Sequence, residues 1–506
     1  MLDDARALRL LLILTAALTL ARLAALFATP LQLYPDEAQY WLWSRTLHWG
    51  YVSKPPLIAW LIRLTTAVGG DGEAWVRLTA PLAHAGAMLA LYPVGRRLYG
   101  PAGGLLAATL YGLMPAVQVS AMFVATDAPL MLFLALALWA YVALFQEQAP
   151  ARRRWIAAGL GAALGLAFLA KYAAVFLVLG AGLHALADRH VRQAWRGGAW
   201  AIALLVLLVL LGPNLAWQAS HKFATVAHTA EVNAHWSLAT LLHPGKLIEF
   251  ELDQLGIFGP IPFVAVVVGL IVFARRRALE PADRMLLWLM APALVLVSIQ
   301  ALLSRAHAHW AAVSYLPGAV LAAAWLLRWR ARGWIAATLG LQGAVAALVL
   351  IVVAAPRIAD ATGNGRRMAR LRGWDTTAAL VTSAARAAAA QGGLTAVAVE
   401  DRYMFNALAY YGRSYFEAPG AAPLRMRPAA KALNEAELSD PLTPAEAGRV
   451  LIAETVRLPE SPGLPADFAR TTPVGQWTLP LGGRKTRIVQ LMLGQDYKPS
   501  GRPTAP

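Results

Sequence analysis

The sequence contains no cysteine. Disulfide bonds, zinc–thiolate sites and thiol nucleophiles are therefore excluded, and a transition-metal site would need histidine and carboxylate ligands. Charged residues are also scarce, at 14% of 506 residues, whereas hydrophobic residues make up 58% and the mean hydropathy is +0.51. A soluble multidomain protein could not bury so much apolar surface, so the composition predicts a polytopic helical membrane protein.

Acidic residues are the scarcer charge, with 28 Asp and Glu against 45 Lys and Arg, which gives a formal net charge of +17. Such an excess can indicate nucleic-acid binding, but here the arginines are not gathered with aromatic residues into one basic face. They lie in short segments between apolar spans, as the positive-inside rule expects. We therefore expect contacts with membrane lipids and none with nucleic acid.

Eleven apolar segments approach the roughly 20 residues that cross a bilayer. The first lacks a small-x-small cleavage site, so we expect it to stay in the protein rather than to be removed as a signal peptide. The segments fall near residues 8–29, 78–98, 102–121, 127–146, 155–170, 172–187, 198–217, 256–274, 284–303, 308–328 and 333–355.

The loop charges predict the orientation of these spans. With the N-terminus inside, the runs Arg152-Arg153-Arg154 and Arg275-Arg276-Arg277 both fall on the cytoplasmic side. The long, Trp-rich loop 30–77 then lies on the external side, which is the periplasm if the protein occupies a bacterial inner membrane. With eleven spans the segment after residue 355 is external too.

The sequence therefore predicts an all-α transmembrane domain over residues 1–355, followed by a soluble α/β domain over 356–496 and a disordered Pro-rich tail over 497–506. Within the soluble domain, strands are expected at 394–399 and 449–453, a short helix at 405–411, and a hairpin from 474–479 and 486–493. No phosphate-binding loop, dinucleotide fingerprint or hydrolase elbow occurs there. We expect a monomer.

The loop after the first span carries the most informative charges. Asp36 and Glu37 begin it, and Lys54 follows within the same aromatic-rich stretch. A carboxylate can deprotonate a hydroxyl nucleophile or hold a metal ion, and a nearby ammonium can neutralise a phosphate leaving group. The alternative is an interfacial belt of Trp and Tyr beside solvated acids.

Further polar residues fall on the same external side, and each has a structural alternative. Asp127 begins an apolar span, where it could cap the helix or act as a second carboxylate. Lys171 interrupts an apolar run, where it could snorkel to the interface or bind an anionic headgroup. Arg305 raises the same question as Lys171.

Histidines and amides add candidate substrate contacts. On a helix, His307 and His309 would point about 200° apart, which argues against a metal pair, although one ring could reach a phosphate or sugar. The polar loop 218–255, which ends near Gln254, could line an acceptor groove.

Together these residues resemble the C-type membrane glycosyltransferases. The similarity is to the bacterial branch (glycosyltransferase family 39-like) that includes protein O-mannosyltransferase relatives and the aminoarabinose and galacturonic acid transferases of lipid A. It covers most of residues 1–355. The matching motifs are Pro35-Asp36-Glu37-Ala38 with Tyr40-Trp41, Lys54-Pro55-Pro56-Leu57, Thr126-Asp127-Ala128-Pro129, Lys171-Tyr172, Gln254-Leu255-Gly256 and His309-Trp310.

The resemblance implies a glycosyltransferase that moves a sugar from a polyprenyl-phosphate donor to a periplasmic lipid or glycan acceptor, with inversion at the anomeric carbon. It implies that Asp36 is the essential acid, that Asp127 is a second acid, and that Lys54 contacts the donor phosphate with help from Lys171 or Arg305. Aminoarabinose transferases carry Arg where this chain has Gln39, so the motif is closer to the galacturonosyltransferase branch.

The resemblance leaves Tyr40, Tyr172, Gln254, His307, His309 and Trp310 as candidate substrate contacts. No cofactor is required, although Asp36 and Glu37 could hold a divalent cation such as Mg or Mn.

The alternative functions are a transporter or flippase for a lipid-linked anion, and a structural or sensing membrane protein. Inverted repeats and helices broken near mid-membrane would favour transport, and the sequence has neither.

Overall fold

The structure is a computed structural model that describes residues 3–195, 198–233, 242–277, 279–429, 432–446, 448–456 and 463–498. The chain forms two compact units. The membrane unit comprises Met1–Ala28, Lys54–Leu61 and Arg77–Ile351, and the C-terminal unit comprises Thr29–Ser53, Ile62–Val76 and Val352–Pro506.

Helices dominate the described residues. In chain order they are α1 (Asp4–Ala28), α2 (Pro35–Arg45), α3 (Leu57–Gly69), α4 (Glu73–Arg77), α5 (Thr79–Leu113), α6 (Pro115–Ser120), α7 (Asp127–Gln146), α8 (Pro150–Ala170), α9 (Val175–Ala187), α10 (Arg189–Trp195), α11 (Ala199–Ser220), α12 (Ala224–Asn233), α13 (Pro244–Phe258), α14 (Pro260–Arg275), α15 (Pro281–Leu303), α16 (Tyr315–Arg328), α17 (Arg332–Ala354), α18 (Arg357–Ala361), α19 (Trp374–Ala390), α20 (Arg402–Tyr411), α21 (Arg413–Phe416) and α22 (Glu435–Ser439).

Several of these helices can cross a membrane. Across the described residues, seven are long and apolar enough, or up to nine if each of two bent pairs is one span. In the pair α13 and α14 the axes differ by 116°, and the bend falls at Gly259, whose φ of +99° is unfavourable for other residues. The predicted spans 78–98 and 102–121 both overlap α5, which is broken at Tyr99 and Gly100. The count of eleven therefore stays a prediction.

The core of the membrane unit is built from small and aliphatic side chains on α5, α7, α8 and α16. Small residues let helix backbones approach closely where lipid provides no hydrophobic driving force between helices. A Cβ atom at Gly161 on α8, for example, would stand 2.2 Å from the carbonyl oxygen of Ala203 on α11. This close packing fixes the helix ends that carry the polar residues described below.

The C-terminal unit contains five strands, β1 (Ala396–Val399), β2 (Leu424–Met426), β3 (Val450–Thr455), β4 (Phe468–Pro480) and β5 (Thr486–Tyr497). They form one sheet in the order β2-β1-β3-β5-β4. Strand β1 pairs in parallel with β2 and with the central strand β3, whereas β5 is antiparallel to β3 and β4. Apolar residues of α19 and α20 cover one face of the sheet.

The elements predicted from the sequence of the C-terminal segment have counterparts in the structure. The strands expected at 394–399 and 449–453 correspond to β1 and β3, the helix at 405–411 to α20, and the hairpin to β4 and β5. The tail predicted over 497–506 lies outside the described residues apart from Tyr497, which ends β5, and Lys498.

Most of the loop 30–77 belongs to the C-terminal unit, whereas the sequence assigned all of it to the transmembrane domain. The Trp41 ring lies edge-on against Tyr410 of α20, with ring centroids 4.8 Å apart. The Trp41 indole N–H also donates a 2.8 Å hydrogen bond to Asp71, and the Leu33 N–H donates to the Tyr411 hydroxyl at 2.7 Å. The contacts with Tyr410 and Tyr411 join residues that are more than 300 positions apart.

Candidate active site

The acidic pair of the loop lies in the first turn of α2. Pro35 occupies the first helical position, where no backbone N–H is needed, and an acid in this turn interacts favourably with the helix dipole. Glu37 is buried and its Oε2 accepts a 2.8 Å hydrogen bond from the Tyr34 backbone N–H. Glu37 therefore caps the helix, and of the two acids only Asp36 is partly exposed.

A guanidinium from the C-terminal sequence stands beside Asp36. Nη1 of Arg402 lies 3.4 Å from Oδ1 of Asp36 and donates a 3.3 Å hydrogen bond to the side-chain carbonyl of Gln39. The pKa of Arg402 is raised, because the neighbouring Asp36 and Tyr403 outweigh the lowering effect of burial. Arg402 is the first residue of α20, and its position is fixed because the Asp401 side chain caps that helix.

A second arginine and two tyrosines complete this group of side chains. Nη1 of Arg370 donates a 2.8 Å hydrogen bond to the hydroxyl of Tyr34. Both guanidinium groups lie over the ring of Tyr403, Arg402 at 4.7 Å and Arg370 at 5.9 Å from its centroid. Burial raises the pKa of Tyr34, against the opposing effect of Arg370, so this hydroxyl stays protonated at neutral pH. We call Tyr34, Asp36, Arg370, Arg402 and Tyr403 the acid-arginine cluster.

Tyr40 lies one helical turn beyond Asp36. It is buried, its ring centroid is 5.3 Å from that of Trp43, and it interacts electrostatically with Arg402. Its position next to the acid-arginine cluster was predicted by neither hydropathy nor periodicity.

A separate group of charges forms in the membrane unit. Nζ of Lys171 donates a 2.8 Å hydrogen bond to Oδ1 of Asp127, and both side chains are largely buried, at 18% and 28% exposure. Asp127 is the first residue of α7, and the side chain of the preceding N-cap residue, Thr126, makes no capping bond. Lys171 ends α8 in an extended conformation. The sequence left both residues between structural and chemical roles, and the structure joins them.

Two further predicted residues interact with Asp127. The side chains of Lys54 and His309 both lie within electrostatic range of its carboxylate. The membrane unit therefore gathers Lys54, Asp127, Lys171 and His309, which we call the lysine-aspartate cluster. It presents two ammonium groups and one carboxylate, and a set of this kind suits a phosphate-bearing ligand.

The segment with His307 and His309 is not the α-helix that the sequence argument assumed. His307 precedes a 3-10 helix, Ala308–Ser314, so the rings of His307 and His309 do not oppose each other and their centroids lie 5.7 Å apart. Trp310 packs edge-on against His307. Burial, with the charges of Arg305 and Lys171, lowers the pKa of His307, so its ring is neutral at pH 7. Arg305 is exposed and interacts with His307.

Two predicted substrate contacts are engaged in bonds within the protein. The Tyr172 hydroxyl donates to Asn214 at 2.8 Å and accepts from Gln218 at 3.0 Å. Gln254 is fully buried; its amide donates to the carbonyls of Phe250 and Ala308 and accepts from the Tyr315 hydroxyl. A substrate could reach either group only by displacing these bonds. In the polar loop, His235 and Trp236 lie outside the described residues.

The two acids predicted as possible metal ligands, Asp36 and Glu37, are adjacent in the first turn of α2. Among the residues that the structure describes, no group of three or more His, Asp or Glu side chains could hold a metal ion. Glu37, the second ligand expected from the sequence, uses an oxygen to cap α2. Asp36 alone is a poor ligand set for Mg²⁺ or Mn²⁺, which prefer several oxygen ligands.

The sequence interpretation missed Arg402 and Arg370. One signal could have indicated Arg402: the polar run Glu400-Asp401-Arg402-Tyr403 follows directly after β1. Polar groups at the carboxyl end of a parallel strand commonly form binding sites. Arg370 lies in the 3-10 helix Gly365–Leu371 and offers no comparable signal.

We expect Asp127 and Lys171 to be coupled in stability. Asp127→Asn or Lys171→Met alone leaves one largely buried charge without its partner, which should cost about 2–3 kcal/mol and lower the Tm by several degrees. The double variant removes both charges and should lose less than the two single losses combined. Thermal unfolding of the purified protein in detergent measures these values, and strictly additive losses would contradict the coupling.

Comparison with known proteins agrees with this architecture. Residues 53–217 match the family described as dolichyl-phosphate-mannose-protein mannosyltransferase, a segment that includes Lys54, Asp127 and Lys171. In solved structures, the fold is similar to that of ArnT from Cupriavidus metallidurans, both bound to undecaprenyl phosphate (TM-score 0.65, 17% identity) and in the apo state (TM-score 0.62, 18% identity). Each comparison covers 95% of this chain and 97% of the other.

A curated relative is more similar in sequence. The lipid A galacturonosyltransferase RgtD of Rhizobium johnstonii is 34% identical over 419 residues, which cover 81% of this chain and 85% of the relative. Identity at this level over most of both chains establishes the family. The chain therefore belongs to the C-type membrane glycosyltransferases of the family 39-like group, and it is a multi-pass inner-membrane enzyme that transfers sugars.

Proposed function

We propose that this enzyme transfers galacturonic acid from a polyprenyl-phosphate donor to lipid A or a related envelope glycolipid at the periplasmic side of the inner membrane. The proposal rests mainly on one observation, the 34% identity to a lipid A galacturonosyltransferase over 81% of the chain. The bound undecaprenyl phosphate of the similarly folded ArnT supports a polyprenyl-phosphate carrier.

The lysine-aspartate cluster is the proposed binding site for the donor phosphate. Its ammonium groups, Lys54 and Lys171, can neutralise the charge that develops on the departing phosphate, and Asp127 holds Lys171 in place. The neutral ring of His307 can add a hydrogen bond to a phosphate or sugar oxygen. Arg305, which is exposed, is proposed as an outer contact for the same phosphate.

Asp36 is the proposed general base. An acceptor hydroxyl oxygen attacks the anomeric carbon, its proton passes to the Asp36 carboxylate, and the bond between that carbon and the phosphate oxygen breaks. The polyprenyl phosphate leaves with the bonding electrons, and displacement in one step inverts the anomeric configuration. Glu37 contributes indirectly, because it fixes the turn of α2 that presents Asp36.

This chemistry requires no metal ion in our proposal. Two ammonium groups already provide the positive charge that a divalent cation would supply to the phosphate. Loss of transfer in EDTA, with recovery on addition of Mg²⁺ or Mn²⁺, would contradict this point.

Mass spectrometry of envelope lipids tests the proposed function. Lipid A and related glycolipids from cells with the intact gene should carry one additional hexuronic acid residue, which should be missing after deletion of the gene. Complementation with the wild-type gene should restore the modification, and complementation with Asp36→Asn should not. Identical lipids and glycans in the intact and deleted strains would contradict the proposal.

A further inference from the structure

The acid-arginine cluster contains two guanidinium groups and one carboxylate, that of Asp36. Two guanidinium groups converge on the ring of Tyr403, whereas one of them, that of Arg402, pairs with Asp36. Glu437 also lies within electrostatic range of Arg402, but its carboxylate accepts the backbone N–H of Leu433 at 2.6 Å. Among the residues that the structure describes, Asp36 is therefore the carboxylate that forms an ion pair with this cluster.

The contacts of Arg402 are long for a charged donor. Its bonds to Gln39 and Tyr403 are both 3.3 Å and its approach to Asp36 is 3.4 Å, whereas charge-assisted hydrogen bonds are typically about 2.7–2.9 Å. The side chain is 38% exposed. Arg402 is held in place, but it retains both the donors and the access needed for a tighter partner.

Arg370 has the same character. It is exposed, and its guanidinium donates a 2.8 Å hydrogen bond to a neutral phenol, the hydroxyl of Tyr34. A guanidinium presents five donors in a planar fork that matches the two oxygens of a carboxylate or phosphate. Two such forks beside one aromatic ring form a suitable site for an oxyanion.

We infer that Arg370 and Arg402 bind an oxyanion of the substrate next to Asp36, and that the C-terminal unit thereby selects acidic substrates. The oxyanion is either the carboxylate of a uronosyl group or a phosphate on the glycolipid acceptor. This inference rests on the proposed transfer reaction, which it deepens by naming the group that is recognised. It also gives the C-terminal unit a role in substrate selection.

A binding experiment on the full-length protein in detergent tests the anion site without any transfer reaction. Galacturonate and inorganic phosphate are compared with galactose, at equal ionic strength, for their effect on the Tm. We expect at least one of the two anions, and not galactose, to raise the Tm of the wild type, because a ligand that binds only the folded state stabilises it. The shift should disappear in Arg370→Gln/Arg402→Gln.

Arg413→Gln is the matched control. Arg413 also belongs to the C-terminal unit and stacks on an aromatic ring, that of Tyr410 at 4.7 Å, but it has no contact with Asp36 in the structure. This variant should keep the anion-dependent Tm shift. Loss of the shift in the control as well, or its retention in the double variant, would overturn the inference.

Steady-state kinetics then identify the source of the oxyanion. If the site takes the sugar carboxylate, Arg402→Gln should raise the donor KM about 10- to 100-fold for polyprenyl-phosphate galacturonic acid and leave polyprenyl-phosphate galactose unaffected. If it takes an acceptor phosphate, the acceptor KM should rise for phosphorylated lipid A and not for dephosphorylated lipid A. An equal fall in kcat for all substrates would overturn the inference and leave Arg402 as a positioning residue for Asp36.

The binding experiment and the kinetic experiment together distinguish a failure of this inference from a failure of the proposed function. Arginine-dependent anion binding in a wild-type protein that transfers sugar from no polyprenyl-phosphate donor would contradict the proposed function while supporting the anion site. Sugar transfer by the wild type, with anion binding and substrate preference unaffected by the arginine substitutions, would support the proposed function and contradict the anion site.

Discussion

Asp36→Asn is expected to reduce sugar transfer by at least about 1,000-fold, within the range by which a general base accelerates proton transfer. The amide has nearly the same shape as the carboxylate but cannot take the acceptor's proton. Because Asp36 is partly exposed and its contact with Arg402 is long, the substitution should leave folding intact. Initial rates with purified protein, together with the Tm of the variant, measure both effects.

The matched control for this variant is Asp375→Asn. Asp375 is an exposed acid in the first turn of α19, in the same unit, and its carboxylate accepts only hydrogen bonds from the neighbouring Thr376 among the contacts described. It should retain full activity. Wild-type turnover by Asp36→Asn would remove Asp36 from the reaction, and a large fall in its Tm would mean that lost activity reflects lost structure.

Lys54→Ala is expected to lower kcat/KM for the polyprenyl-phosphate donor by about 10- to 100-fold, since a hydrogen bond from an ammonium to a charged oxygen is worth about 1.5–3 kcal/mol. The loss arises because the variant removes one of the two ammonium groups near Asp127. The acceptor KM should change little. Varying each substrate at saturating concentrations of the other separates the two parameters.

Two further variants sharpen this prediction. Lys54→Arg keeps the positive charge but replaces the compact ammonium with a planar guanidinium. It should therefore recover part of the kcat/KM for the donor that Lys54→Ala loses. Arg63→Ala removes an exposed cation from the same loop and should behave as the wild type. If Lys54→Ala changes the acceptor KM and leaves kcat/KM for the donor unaltered, the phosphate-binding role of Lys54 is wrong.

Much of the architecture could be predicted from local sequence. A span such as 127–146 is a continuous run of apolar residues, and helix formation in lipid requires only that the run satisfy its own backbone hydrogen bonds. The strand at Ala396–Val399 and the hairpin of β4 and β5 follow equally from short apolar and alternating patterns. In the same way, Asp36, Lys54 and Asp127 were recognisable because charge is costly at a membrane boundary.

The partners of these residues could not be predicted in this way. Lys171 pairs with Asp127 across 44 residues, and Arg402 reaches Gln39 and Asp36 across more than 360. Nothing in the composition of the loop indicates that α2 packs against α20, since that contact depends on which aromatic faces meet after folding. Likewise, Glu37 and Asp36 are adjacent in sequence, yet one is buried as a helix cap and the other stays partly exposed.

The chain's local patterns thus specify a membrane-embedded helical enzyme with an acid-bearing loop after its first span, because hydropathy and charge placement act over one span or one loop at a time. The division of that loop between two units, and the arginines that accompany its acid, follow from contacts between distant segments. Such contacts form only when the folded chain brings separate surfaces together, so their chemistry has no counterpart in any single stretch of sequence.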